Sequence, residues 1–229
     1  AGVDLVLCLA FNQRLRELSA AAFVQAVLVD GLGVKHLEIG DDFRFGCDRS
    51  GDFAFLQQAG AVAGFTVEEA ATVELNGSRV SSTRVREALQ AADFVEAEHL
   101  LGRPFAIAGR VVHGQKLGRQ LGTPTANVQL KRHRVPLNGV FLVSMELEGV
   151  LQPGVANIGV RPSVKADGFA HLEVHLLDFA GDLYDRRVSV VFHHKLRDEQ
   201  RFASLEALKS AIAADVIAAR AYWQAQLNS

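Results

Sequence analysis

Apolar and polar positions divide the chain into two regimes. In the first, short apolar runs alternate with stretches of helical spacing. Asp4 to Phe11 is an apolar run that predicts a buried parallel strand, covered on both faces. Ser19 is placed to cap a helix over 20–30, with Phe23, Val27 and Leu28 at helical spacing and Gly31 and Gly33 at its end. His36 to Ile39 predicts a second strand. Asp52 caps a helix running to about Ala63 and closed by Gly64, and a third strand lies within 65–75. Ser81 and Ser82 precede a short helix over 83–89, and a further helix runs from Phe94 to Leu101. This alternation predicts an open α/β sheet, in which ligands gather at the carboxyl ends of the strands.

The second regime begins at Leu101-Gly-Arg-Pro104, which divides the chain into domains at 1–102 and 103–229. Strands are predicted at 105–113, 140–148, 152–158, 171–179 and 188–193. Asn138-Gly139, Glu148-Gly149, Pro153-Gly154 and Gly181-Asp182 mark turns. Five or six short strands at this spacing predict a small antiparallel barrel. After 197–202, Ser204 caps a terminal helix whose apolar stripe is Leu208, Ile212, Val216, Ala219 and Trp223. The fold class is therefore α/β plus β.

Composition narrows the function classes. The chain is 49% hydrophobic and 22% charged, which fits a folded protein and excludes disorder. A net charge of −2 supplies no global basic field, so nucleic acid is not an expected partner. No apolar run reaches the length of a membrane span, and no basic segment precedes Leu5 to Phe11 to make it a signal peptide. Cys8 and Cys47 form no CxxC motif and read as free thiols of a reducing compartment. A soluble cytoplasmic protein is expected, with self-association left open.

Candidate chemistry concentrates between the first two strands of the second regime. Gly114, Gly118 and Gly122 alternate with Lys116 and Arg119, so backbone N–H groups could form an anion-binding nest. Pro124-Thr-Ala-Asn127 then offers a hydroxyl and an amide oxygen two residues apart, on one side of an extended segment. Hard neutral oxygens suit Mg²⁺. A plain hairpin loop is an equal reading on pattern alone, and neither GxxxxGK[ST] nor GxGxxG occurs. Phosphoryl transfer also needs a group to deprotonate or orient the acceptor hydroxyl. Glu173 is the candidate: Leu172, Val174 and Leu176 share one strand face, and His171, Glu173 and His175 share the other. On spacing alone, a solvent-facing residue is the favoured reading. Zn²⁺ binding by the two histidines is disfavoured, since residues two apart on a strand lie about 7 Å from each other. His171, His175, His193 and His194 read as wall or strand-end residues. In the first regime, Gly40-Asp-Asp-Phe-Arg-Phe-Gly46 leaves a strand, and Ser81-Ser-Thr-Arg-Val-Arg86 opens a helix suited to phosphate. Spacing alone favours an ordinary N-cap there.

Gly114-Gln-Lys-Leu-Gly-Arg-Gln-Leu-Gly-Thr-Pro-Thr-Ala-Asn127 resembles the signature of riboflavin kinases, whose PTAN motif holds ATP and Mg²⁺. Across nearly all 229 residues the chain resembles the bacterial bifunctional riboflavin kinase/FAD synthetase family. The resemblance implies that Gly114, Lys116, Gly118, Gly122, Pro124 and Thr125 bind ATP, that Thr125 and Asn127 bind Mg²⁺, and that Glu173 is the catalytic base. The family's base lies on a strand ending as Leu176-Leu-Asp-Phe-Ala-Gly-Asp-Leu-Tyr184 does here. Arg197-Asp-Glu-Gln-Arg-Phe202 matches a flavin-proximal loop, which implies a flavin contact for Arg197. Gly154 to Pro162 resembles GxxNIGxRPT, with Ser163 for the usual Thr, and Phe141 stands where Tyr is common.

GDDFRFG and SSTRVR resemble the FMN adenylyltransferase module, a Rossmann-like nucleotidyltransferase. That likeness implies nucleotide and FMN contacts at Asp42, Phe43, Ser82, Thr83 and Arg86. The module's HxGH motif does not occur, nor do its first strand and helix. The expectation is a truncated Rossmann-like domain followed by a riboflavin kinase-like β-barrel with a C-terminal helix. The implied reaction converts ATP and riboflavin to ADP and FMN, and FAD synthesis from FMN belongs to the parent enzyme and is impaired in these residues. The rival class is a non-enzymatic flavin-binding split barrel with a scaffold α/β domain.

Overall fold

A computed structural model describes residues 3–114, 122–130, 135–160 and 170–227. The chain forms two compact units, Ala1–Glu74 and Leu75–Ser229. The readings made of Lys116, Gly118 and Ser163 lie outside the described residues.

In the first unit, side-chain caps mark where the helices begin. Helix α1 spans Gln13–Arg16. Helix α2, Ala20–Phe23, starts where the Ser19 hydroxyl accepts the Ala22 N–H at 3.2 Å, and it continues as a π-helical turn over Val24–Val29. Strand β1 (His36–Ile39) pairs in parallel with β2 (Thr66–Glu69), and α3 (Phe53–Ala63) lies between them in the chain. The Asp52 carboxylate accepts the Phe55 N–H at 2.8 Å, and Gly64 ends α3 at φ 79°. Ala20, Val24, Leu28, Ile39, Phe45, Leu56 and Phe65 form the core.

The segment Asp4 to Phe11 departs from expectation. It forms no strand, and its side chains are exposed, Leu5 by 81%. An apolar run becomes a strand only where a neighbour takes its backbone hydrogen bonds and covers its faces. Among the described residues, β1 and β2 pair only with each other.

A short hairpin, β3 (Glu74–Leu75) and β4 (Ser78–Arg79), opens the second unit at Leu75 and turns through Asn76 and Gly77 at φ 54° and 71°. Helices α4 (Ser82–Gln90) and α5 (Phe94–Leu101) follow. Six strands then close a barrel: β5 (Ala106–Val112), β6 (Ala126–Gln129), β7 (Gly139–Leu147), β8 (Val150–Val160), β9 (Ala170–Leu176) and β10 (Arg187–Arg197). Their order around the barrel is β10-β5-β6-β9-β8-β7, with every neighbour antiparallel. Strand β6 has no counterpart in the predicted strands. It is four residues long and contains the Ala-Asn of the PTAN motif.

Alternation fills the barrel. On β9, Ala170, Leu172, Val174 and Leu176 are buried, and His171, Glu173 and His175 are half-buried on the other face. Helices α4 and α5 belong to the same core. The Phe94 ring lies 5.9 Å from that of Phe141 and 6.1 Å from that of Phe192, and Ala97 is fully buried. Helix α6 (Leu205–Leu227) packs outside the barrel, with Ala219 buried among Val140, Leu142, Val155 and Leu177. The Ser204 hydroxyl accepts the Ala207 N–H at 3.1 Å and starts it.

Candidate active site

Strand register, rather than sequence proximity, assembles the polar site. One row runs around the outer face of the barrel. Val112 on β5 opposes Asn127 on β6, and Asn127 opposes Glu173 on β9. Glu173 opposes Asn157 on β8, Asn157 opposes Val140 on β7, and Val140 opposes Arg197 on β10. Directly opposed residues on antiparallel neighbours share a face, with Cβ atoms about 4.5–5.5 Å apart. Asn127, Glu173 and Asn157 therefore stand side by side. Gly114 approaches this row so closely that a Cβ there would collide with the Asn127 carboxamide, so a larger residue would displace that side chain.

Two cavities meet at Thr125. One, of about 310 Å³, is lined by Pro124, Thr125, Ala126, Phe179, Asp182 and Tyr184 among others. The other, of about 260 Å³, lies where α6 crosses the barrel. Its barrel side carries Thr123, Thr125, Asn157, Glu173 and His175, and Val140, Val155, Leu208, Ile212 and Val216 make it apolar elsewhere. A third, of about 570 Å³, is lined in part by His113, Gly114, Asn127 and His171. Gly122 precedes the motif at φ 80°.

Hydrogen bonds fix the rim of the second cavity. The Arg197 guanidinium donates to both Asp215 carboxylate oxygens, through Nε at 3.0 Å and Nη2 at 2.8 Å, and lies 5.6 Å from the Phe202 ring centre. Asp215 is only 8% exposed, so this forked ion pair joins α6 to β10. The Asn157 amide donates to Glu199 at 3.3 Å. His175 Nδ1 lies 2.9 Å from the Pro124 carbonyl oxygen.

The residues singled out in the first regime fall in two places. Asp42 and Phe43 follow β1 in the first unit, where Phe43 stacks on Phe45 at 5.5 Å and remains 39% exposed. Ser82, Thr83 and Arg86 open α4 in the second unit. Ser81 caps that helix by accepting the Arg84 N–H at 3.2 Å, and Arg86 donates to the Thr83 hydroxyl at 3.2 Å. In the barrel, the structure brings together Gly114, Thr125, Asn127 and Glu173, and adds Asn157 and Asp215, which the sequence reading did not select. Asp215 was hidden among the polar positions of a long helix. Asn157 sits in a segment whose likeness was visible but whose place in the register was not.

A riboflavin kinase family model matches residues 101–223, and an FAD synthetase family model matches residues 1–84. The chain is 78% identical over 220 residues to a bifunctional riboflavin kinase/FMN adenylyltransferase of Pseudomonas fluorescens, covering 96% of this chain and 71% of that protein. It is 52% identical over 225 residues to the enzyme of the same name from Escherichia coli K12, covering 97% and 71%. A crystal structure described as a macrolide-efflux protein from Streptococcus pneumoniae superposes with a TM-score of 0.66 at 32% identity, over 92% of this chain and 67% of that one. No helix among the described residues is long and apolar enough to cross a membrane.

A closed barrel with a riboflavin kinase match, preceded by an FAD synthetase match, defines a flavin-modifying transferase. The chain belongs to the bifunctional riboflavin kinase/FMN adenylyltransferase family. Its kinase reaction draws on ATP and a divalent metal.

Proposed function

We propose that the barrel phosphorylates riboflavin at its ribityl 5′-hydroxyl, consuming ATP and yielding ADP and FMN. The observation that carries this reading is Thr125: it lines both cavities, beside the Asn127–Glu173 pair. The 310 Å³ cavity takes the nucleotide, with Pro124 and Thr125 in its wall. Gly114, Lys116, Gly118 and Gly122 belong, on this reading, to the ATP-binding stretch of sequence that precedes them. The 260 Å³ cavity takes the flavin. Its apolar wall suits a flat ring system, and its polar barrel side suits a polyol. Arg197, held by Asp215, borders the ring.

Thr125 and Asn127 supply a hydroxyl and an amide oxygen, a donor set that fits Mg²⁺. When bound there, Mg²⁺ offsets charge on the phosphate oxygens. Glu173 accepts the 5′-hydroxyl proton as that oxygen attacks the γ-phosphorus. The new P–O bond forms in line with the departing ADP oxygen, whose bond to γ-phosphorus breaks. Most of the acceleration comes from holding the two substrates in this geometry.

Asp42, Phe43, Ser82, Thr83 and Arg86 belong, on this reading, to the FMN adenylyltransferase module, which meets the kinase module near residue 102. The substrates and free thiols suit the cytoplasm. The direct test is Glu173→Gln, which keeps size and loses the basic oxygen. FMN formation should fall by roughly 10²–10⁴ in kcat, with the riboflavin KM within a few-fold of wild type. Wild-type turnover in the purified variant would sink the assignment.

A further inference from the structure

We propose that His175 is a positioning residue of this site: its ring N–H clamps the Pro124 carbonyl and so sets the Thr125 hydroxyl against Glu173. The inference rests on the kinase reading for its consequence, though its geometry stands on its own.

A carbonyl oxygen can only accept, so a 2.9 Å contact to His175 Nδ1 requires the hydrogen on that nitrogen. The tautomer is thereby fixed. His175 is a rigid anchor, because Val174 and Leu176 on either side of it are buried in the barrel. It lies two residues beyond Glu173 on the same face of β9. The segment it grips is less well held. Pairing between β6 and β9 begins at Ala126 opposite Val174, so Pro124 and Thr125 lie beyond the ladder. Proline has no N–H to offer a neighbouring strand. The imidazole therefore extends the β6–β9 junction by a side chain, at the point where the backbone carries Thr125. Through β9, the base and the clamp move as one piece. A displacement of Pro124 becomes a displacement of Thr125 relative to Glu173, and an error of about 1 Å in such placement can cost about 10²-fold in rate.

Two isosteres separate this role from mere packing. In His175→Asn the amide nitrogen is bonded to Cγ, as Nδ1 is, and can still donate to Pro124. In His175→Gln it lies one bond further out, where Nε2 was. Asn leaves more empty volume in the cavity wall than Gln does, so lost packing would harm the Asn variant more, the reverse of what the clamp predicts. We expect kcat within about 3-fold of wild type for His175→Asn and a fall of roughly 10–100-fold for His175→Gln. The Mg²⁺ concentration for half-maximal rate should rise only in the Gln variant. Matched thermal unfolding of the two variants keeps folding out of the comparison. Independently of activity, ¹⁵N NMR of the imidazole in the substrate-free chain should show Nδ1 protonated. Equal kcat in the two variants, at any level, or an Nε2–H tautomer overturns the proposal. Absence of FMN formation in the wild-type chain would instead overturn the kinase reading and leave the NMR result to decide the clamp.

Discussion

Glu173 has little meaning as a lone carboxylate and a great deal as the middle member of a row. Its face could be read from the alternation of β9, because side-chain direction in a strand is set by the residue's own parity. Its neighbours could not. Asn127 and Asn157 come from strands far apart in sequence, and register depends on which strands pair, which no local pattern encodes. Replacing Asn127 by Ala should therefore lower FMN formation at least 10²-fold, a loss typical of removing one preorganised electrostatic group. Raised Mg²⁺ should recover part of it, as a steady-state titration would show; unchanged turnover at low Mg²⁺ would refute the role. A second prediction concerns His193, whose Nε2 lies 2.8 Å from the Ser144 hydroxyl and whose ring meets Trp223 edge-on at 4.9 Å. Burial pushes its pKa below the usual 6.5, with the Glu98 charge opposing the shift. A depressed folded pKa means that the neutral ring is favoured in the native state. This contribution to stability is complete above pH 6.5 and is lost as pH falls from there through the lower folded value. The unfolding temperature should thus fall as pH drops from 7.5 to 5.5, and His193→Gln should flatten that slope. Identical slopes would exclude the imidazole as its source.

Elements divide by how local their signals are. The caps of α2, α3, α4 and α6 were legible because one side-chain oxygen and one N–H three residues on decide them. The reading of Asp4 to Phe11 as a buried strand failed because burial of a strand is a property of its neighbours. Strand β6 escaped because Ala-Asn-Val-Gln is too short to carry a period and follows directly on Gly122 and Pro124. Helix α6 was legible as an element but not as a wall. Only the fold shows that Leu208, Ile212, Asp215 and Val216 face the 260 Å³ cavity while Ala219 seats the helix on Val140, Leu142, Val155 and Leu177. A larger side chain at Ala219 should lift α6 off the barrel. Ala219→Leu is expected to cost about 1–3 kcal/mol by overpacking and to raise riboflavin KM several-fold more than it lowers kcat. A denaturant melt and a Michaelis series would measure both. Loss of stability with an unaltered KM would mean that α6 is no part of the flavin site.

At the scale of the molecule, composition and packing draw different lines. Helices give way to strands between Leu101 and Ala106, and the riboflavin kinase match begins at residue 101. The compact unit begins at Leu75. A shift in residue pattern marks where the element type changes, whereas a core ends where apolar surface runs out. Helices α4 and α5 bury Ala88, Leu89, Phe94, Ala97 and Leu100 in the barrel's own cluster. Phe94 packs on both Phe141 and Phe192, and removing a buried phenylalanine costs about 3–5 kcal/mol. Two fragments discriminate between the lines. Residues 75–229 should express as a folded unit and phosphorylate riboflavin within about 3-fold of the full chain, since every barrel residue proposed for the kinase lies inside it. Residues 103–229 keep those same residues but expose the surface that α5 covers. Their unfolding temperature should fall by roughly 10–20 °C relative to the longer fragment, on a scale of a few degrees per kcal/mol for a domain of this size. Activity should survive at low temperature and vanish well below the longer fragment's melting point. If the two fragments melt together, α4 and α5 are passengers on the barrel, and the boundary drawn from residue pattern is also the boundary of the core.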